Sequence, residues 1–171
     1  ASFISTLVVN LFAFGLCLIY IACNGWFMNI SDILLILLNV VGLTLLGCIL
    51  SSLINSFLST QGQISAVGSI VSSMYGFIAG AYMPMSQFGS GLRDVLLFLP
   101  TTYATALMKN AVMAGPFREL EKLIPIDAVN SLKEAVDVRL IFNDSVVGTS
   151  TMYFVVIVTI FVLFLMYILK Y

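Results

Sequence analysis

The chain has 171 residues, 61% of them hydrophobic and only 9% charged, with a formal net charge of −1. Soluble domains carry roughly a quarter charged residues and under half apolar ones, so this composition excludes an ordinary water-soluble domain and describes an integral membrane protein. The near-neutral balance excludes a strongly basic surface, and no nucleic-acid partner is expected.

The charges are segregated. Of the seven Lys or Arg and eight Asp or Glu, all but Asp32 and Lys170 lie between Arg93 and Asp144. The rest of the chain is almost free of formal charge, as lipid-facing segments must be. Cys17, Cys23 and Cys48 sit inside or at the edge of apolar runs and read as small buried hydrophobes, with no metal-binding spacing and no implied disulfide framework. There is no His, which removes the commonest general base and metal ligand.

In chain order, residues 1–23 lack the basic stretch of a signal peptide and their apolar run is too long for one. They read as a true span, about 2–23, with Asn10 inside it, and the chain reads as one whose front end is missing. About 20 residues suffice to cross a hydrocarbon core of roughly 30 Å. Tyr20, Trp26 and Phe27 cluster at the far end, as an interfacial aromatic belt does. A second span covers about 33–57, with Ser31 or Asp32 as its N-cap. Its polar residues are Asn39, Thr44 and Asn55. Asn10, Asn39 and Asn55 mark either a transport path or hydrogen bonds to neighbouring helices.

A third span, about 64–83, carries a small residue at every fourth position: Gly68, Ser72, Gly76 and Gly80. That spacing puts them on one face, where another helix can approach closely. The face is either a packing surface within one subunit or a dimer or gate surface. Pro84 follows, and proline resists the helix interior. The segment 95–114 has the length of a span, but Pro100 near its start frees a carbonyl that lipid cannot satisfy. A re-entrant hairpin over about 84–115, packed against protein, avoids that cost. Lys109 then lies near an interface, where its stem snorkels. Residues 116–148 read as a small extramembrane segment. Pro116 opens a helix that Pro125 stops, Asp127 caps a second, amphipathic helix to about Val138, and 139–147 is short and extended. A clean span over 149–169 closes the chain. The tripeptides Asn29-Ile30-Ser31 and Asn143-Asp144-Ser145 match the glycosylation sequon, a pattern short enough to arise by chance.

The expected fold is therefore an all-α integral membrane protein: about four transmembrane helices, a re-entrant helical hairpin and a small amphipathic helical extramembrane segment. No Gly-x-x-x-x-Gly-Lys-Ser/Thr phosphate loop occurs, no nucleophile has a His partner, and the spans hold no acidic pair for a proton relay. No catalytic residue, metal site or cofactor of the chain's own is expected.

The order of small-faced span, proline break, broken apolar helix and polar excursion resembles the late part of an ABC transporter permease of the type-2 exporter class. In that family the penultimate span ends in a Gly-x-x-x-Pro-like motif, matched here by Ala79-Gly80-Ala81-Tyr82-Met83-Pro84. A re-entrant hairpin with a proline and a Tyr about three residues on follows, matched by Leu99-Pro100-Thr101-Thr102-Tyr103-Ala104. The resemblance implies a permease that dimerises with a second permease copy, sits in the plasma (cell) membrane of a bacterium and is driven by a separate ABC ATPase subunit holding ATP and Mg. It implies that Gly80, Pro84, Pro100 and Tyr103 shape the exit for a drug, peptide or lipid-like substrate. Such families carry two further spans and a coupling helix ahead of this region, which this sequence lacks. The alternative is a four-span scaffold or assembly subunit that binds a partner helix through the small-residue face.

Four spans put both ends on one side. The resemblance makes that side cytoplasmic, whereas the positive-inside rule disagrees: Arg93, Lys109, Arg118, Lys122, Lys133 and Arg139 fall outside. The rule weakens for loops longer than about 60 residues.

Overall fold

The structure, a computed structural model, describes residues 2–84, 87–138, 140–142 and 145–170. It is an all-α membrane protein. The helices are α1 (Ser2–Asn24), α2 (Ile30–Asn55), α3 (Gln61–Ile78), α4 (Ser90–Leu97), α5 (Pro100–Leu120), α6 (Ile126–Ala135) and α7 (Thr149–Lys170). Strands β1 (Ile141–Phe142) and β2 (Ser145–Val146) pair as a minimal antiparallel ribbon. Among the described residues, three helical segments are long and apolar enough to cross a membrane: Phe3–Cys23, Ile30–Asn55 and Thr149–Leu169. Their outer faces expose large side chains such as Phe12, Leu34, Phe154 and Phe161, which suits lipid as the surrounding solvent. Tyr20, Trp26 and Phe27 are exposed at one end, where an aromatic belt sits.

α2 is the central post. It starts with Asn29, not Ser31 or Asp32, as N-cap. Asp32 instead reaches back, its Oδ2 accepting from the Asn29 N–H at 2.9 Å, which satisfies a donor the helix start leaves free. α1 runs antiparallel to α2, with Asn10 Nδ2 donating to Thr44 Oγ1 at 2.9 Å and Phe14 packed on the cluster around Val40. α5 also runs antiparallel: Asn39 Nδ2 donates to the Leu107 carbonyl at 3.2 Å, and Arg118 pairs with Asp32. α7 runs parallel, with Tyr153 and Val156 beside Asn39 and Leu43, and Tyr167 level with Asn55. The core joins Leu46 of α2, Leu97 of α4, Ala104 and Leu107 of α5, and Met152 and Val156 of α7.

These pairings fix depth. Asn39 lies beside Leu107. With equal rise in two antiparallel helices, Pro100 falls beside Leu46, near the middle of α2. Ala104, Leu99 and Ile78, the last residue of α3, all pack in the Leu46 cluster. The chain between α3 and α5 therefore passes beside the middle of the central helix, with α4 inside it.

Five sequence expectations are corrected. First, α3 runs from Gln61 to Ile78 and does not continue to about residue 83. Gly80 takes φ +70°, the Gly80 N–H donates to the Phe77 carbonyl at 3.0 Å and the Ala81 N–H to the Gly76 carbonyl at 2.9 Å. That pair of bonds is the left-handed glycine stop of a helix. Second, 95–114 is not one segment: the turn Phe98–Leu99 divides α4 from α5. Pro100 opens α5, where a missing donor is no loss. The carbonyls freed at this depth are satisfied locally, Thr102 Oγ1 donating to the Leu96 carbonyl at 2.7 Å and the Leu99 N–H to the same oxygen at 3.0 Å.

Third, Pro116 opens no helix but lies inside α5. It is exposed and one turn from the helix end, and its predecessor Gly115 has no Cβ to clash with the proline ring. Fourth, α6 is capped by Pro125, not Asp127. Fifth, its end carries Asp137 at φ +58°, not a helix run to Val138. The Val138 N–H donates to the Lys133 carbonyl at 2.9 Å, the same stop that glycine makes after α3. The sequon at 143–145 lies partly outside the described residues, as do residues 85–86 at the start of the expected re-entrant hairpin.

Gly115 is buried, and a Cβ there would strike the backbone carbonyl oxygen of Phe27. Alanine raises helix propensity by about 1 kcal/mol over glycine, but overpacking against fixed backbone costs about 1–3 kcal/mol. Gly115→Ala is expected to lower the thermal midpoint in detergent, whereas Gly68→Ala, where a Cβ meets nothing within 4 Å, should hold or raise it. Equal midpoints for Gly115→Ala and the native chain would show that α5 does not depend on that approach.

Candidate functional site: cavities along α2

The C-terminal half of α2 borders open space on two sides. A cavity of about 720 Å³ lies between α1, α2 and α7, and its polar lining includes Thr6, Asn10, Thr44, Ser51, Ser52 and Asn55. A narrower cleft of about 230 Å³ lies between α2 and α3, lined by Gly47, Ser51, Asn55, Gly68, Ser72 and Tyr75 among others. Gly47, Ser51 and Asn55 recur at every fourth position, so one face of α2 lines both spaces. Towards the Asp32 end, an apolar pocket of about 370 Å³ is bordered by Phe14, Ile21, Ile36, Met108 and Val112. Asn10 and Leu43 line both this pocket and the large cavity. None of these linings contains Asp, Glu, Lys or Arg.

The residues singled out from the sequence separate into groups. Asn10 and Asn55 line the large cavity, whereas Asn39 is buried with its amide donating to the Leu107 carbonyl and acts as a clamp between α2 and α5. Gly68 and Ser72 face the cleft beside α2. Gly76 does not share that setting: the ring of Tyr82 lies over it, edge-on to Phe77 at 5.4 Å between centroids. Gly80 lies beyond the end of α3, as its stop residue. Pro84 is half-buried in the link after α3, and Pro100 and Tyr103 sit at the start of α5, Tyr103 packed on the Leu46 cluster. The cavity residues Thr6, Ser51 and Ser52 were not singled out. The every-fourth spacing of Gly47, Ser51 and Asn55 is the signal that marks Ser51; no such spacing marks Thr6 or Ser52.

The other end of the bundle carries the ions. Each described basic side chain there faces a carboxylate: Arg118 with Asp32, Lys109 with Asp137 at 3.2 Å, Lys122 with Glu119 at 2.7 Å and Lys133 with Glu121 at 2.6 Å. Lys133 also lies 5.4 Å from the Phe117 ring centroid, over the cluster that seats α6 on α5 through Phe117, Val129 and Val138. Asp137 is nearly buried, its side chain 7% exposed, and the Lys109 ammonium helps to compensate its charge there.

Lys109→Met removes that ion pair and is expected to cost about 2 kcal/mol, read as a lower thermal midpoint in detergent. Adding Asp137→Asn, which tolerates the left-handed backbone and needs no cation, should recover most of the loss. A double variant no better than Lys109→Met would show that the pair does not hold the end of α6.

The family model for the ABC-2 family transporter protein matches residues 1–169. No curated protein and no solved structure matches the chain at a significant level. A match over nearly the whole chain, on an apolar helical bundle of this kind, settles the family: the chain belongs to the ABC-2 family of membrane transporter proteins.

Proposed function

We propose that this chain is the membrane-spanning permease part of an ATP-driven ABC exporter, which moves a hydrophobic or amphipathic substrate out of the cell by alternating access. The observation that carries it is the family match over 1–169. The linings described above support it, since they offer room and polar contacts but no nucleophile with a base. ATP and Mg belong to a separate ATPase subunit in this reading, and residues 1–171 hold no phosphate loop. A second permease copy completes the path. α3 is the natural neighbour for it, as none of its described residues is buried. The membrane is the plasma membrane of a bacterium, with both chain ends on the cytoplasmic side and 116–148 outside. The basic residues of 85–148 count against this orientation, but the positive-inside rule weakens for segments as long as this one.

The test is to purify the full-length protein with the ATPase encoded beside it and to measure ATP hydrolysis in lipid nanodiscs. A stable complex with hydrolysis changed several-fold by the permease is expected. If no ATPase associates and none is encoded nearby, the exporter reading fails, and α3 is better read as the docking face of a membrane scaffold.

A further inference from the structure

We infer that the groove between α1 and α2 binds an uncharged amphiphile, its polar head in the large cavity and its apolar tail past Asn10 in the adjoining pocket. The inference deepens the permease reading, which it needs only for the claim that the bound molecule is cargo.

Three observations carry it. The two spaces adjoin, since Asn10 and Leu43 border both, and their volumes of about 720 and 370 Å³ each fall within the range of ligand pockets, roughly 300–1,000 Å³. Their chemistry is divided. Hydroxyl and amide groups of Thr6, Thr44, Ser51, Ser52 and Asn55 line the large cavity beside Phe3, Ile49 and Phe164, while the adjoining pocket is almost wholly apolar, lined by Phe14, Ile21, Ile36 and Val112. The Asn10–Thr44 hydrogen bond stands at the boundary. Finally, neither lining offers a charged side chain. A carboxylate, phosphate or ammonium head would leave water for dipoles alone, which is costly at membrane depth, whereas a hydroxyl or amide head exchanges hydrogen bonds with its own kind. Access comes from the bilayer itself: none of the apolar window of α1 is buried, so the groove opens sideways to lipid.

The probe is a monoacylglycerol with a photoreactive diazirine in its chain, added to the full-length protein in nanodiscs with no ATPase present. After illumination, mass spectrometry should place adducts on Phe14, Ile21, Met108 and Val112. Unlabelled monoacylglycerol should suppress them, while the fatty acid and the alkylamine of equal chain length should compete at least about tenfold less well. Ser52→Trp, which fills the large cavity from an exposed position, should remove most of the adducts while the thermal midpoint holds. Should that variant fail to fold, the competition series on the native protein decides alone. Adducts equally dense on the lipid-facing Phe154 and Phe161, insensitivity to every competitor, or equal competition by charged chains would each overturn the site. Because no ATPase enters the experiment, loss of the site and loss of the exporter reading are read separately.

Discussion

The amide of Asn39 and the carbonyl of Leu107 fix where α5 lies on α2. In water such a bond is replaced by solvent at little net cost. Inside a bilayer neither group has water to turn to, so breaking the bond leaves both unpaired. Its energy is modest, on the order of 1 kcal/mol by measurements on comparable pairs. Its geometric effect is larger, because a slip of one turn, about 5.4 Å, would part Asp32 from Arg118 and drive Gly115 out of its seat on Phe27. One hydrogen bond, one ion pair and one close backbone approach thus agree on a single register.

That register decides where the protein is hollow. α5 begins beside Leu46 and runs towards the Asp32 end, so this half of the bundle has α5 to fill it. The other half has only α1, α2, α3 and α7 to share the same cross-section, and the large cavity and the α2–α3 cleft both lie there. The large cavity and the cleft follow from a helix that stops halfway, and the face of Gly47, Ser51 and Asn55 is the part of α2 that α5 leaves uncovered.

Much of the fold was legible in the sequence where one physical signal acted alone. α1, α2 and α7 are long uninterrupted apolar runs, and their ends fall within a few residues of expectation because charge and turn residues bound them. Errors arose where two signals competed. Pro84 looked like the stop of α3, but Gly80 reached a left-handed conformation first. Pro116 looked like a start, but a proline one turn from a helix end costs little when glycine precedes it. The stop after α6 was hidden because Asp137, not glycine, adopts the positive φ, and its partner Lys109 is distant in sequence. The candidate site was half legible. Asn10 and Asn55 stand out as amides in apolar runs, but what such an amide meets, Thr44 and the large cavity for Asn10 or the Leu107 carbonyl for Asn39, depends on the neighbouring helix, which no local pattern reveals. The four small residues of α3 shared a face only on the assumption of a continuous helix, and the helix ends two residues before the last of them.

The uneven placement of charge has a mechanical consequence. At the Asp32 end, ion pairs and an aromatic belt hold the protein to the aqueous boundary, and moving those groups into hydrocarbon is expensive. At the opposite end the turn between α2 and α3 is built of Ser, Thr and Gln without a charge. Such groups shift in depth at lower cost. When the bilayer thins or thickens, the adjustment falls on that end, so lipid composition acts first on the half of the protein that holds the large cavity and the α2–α3 cleft.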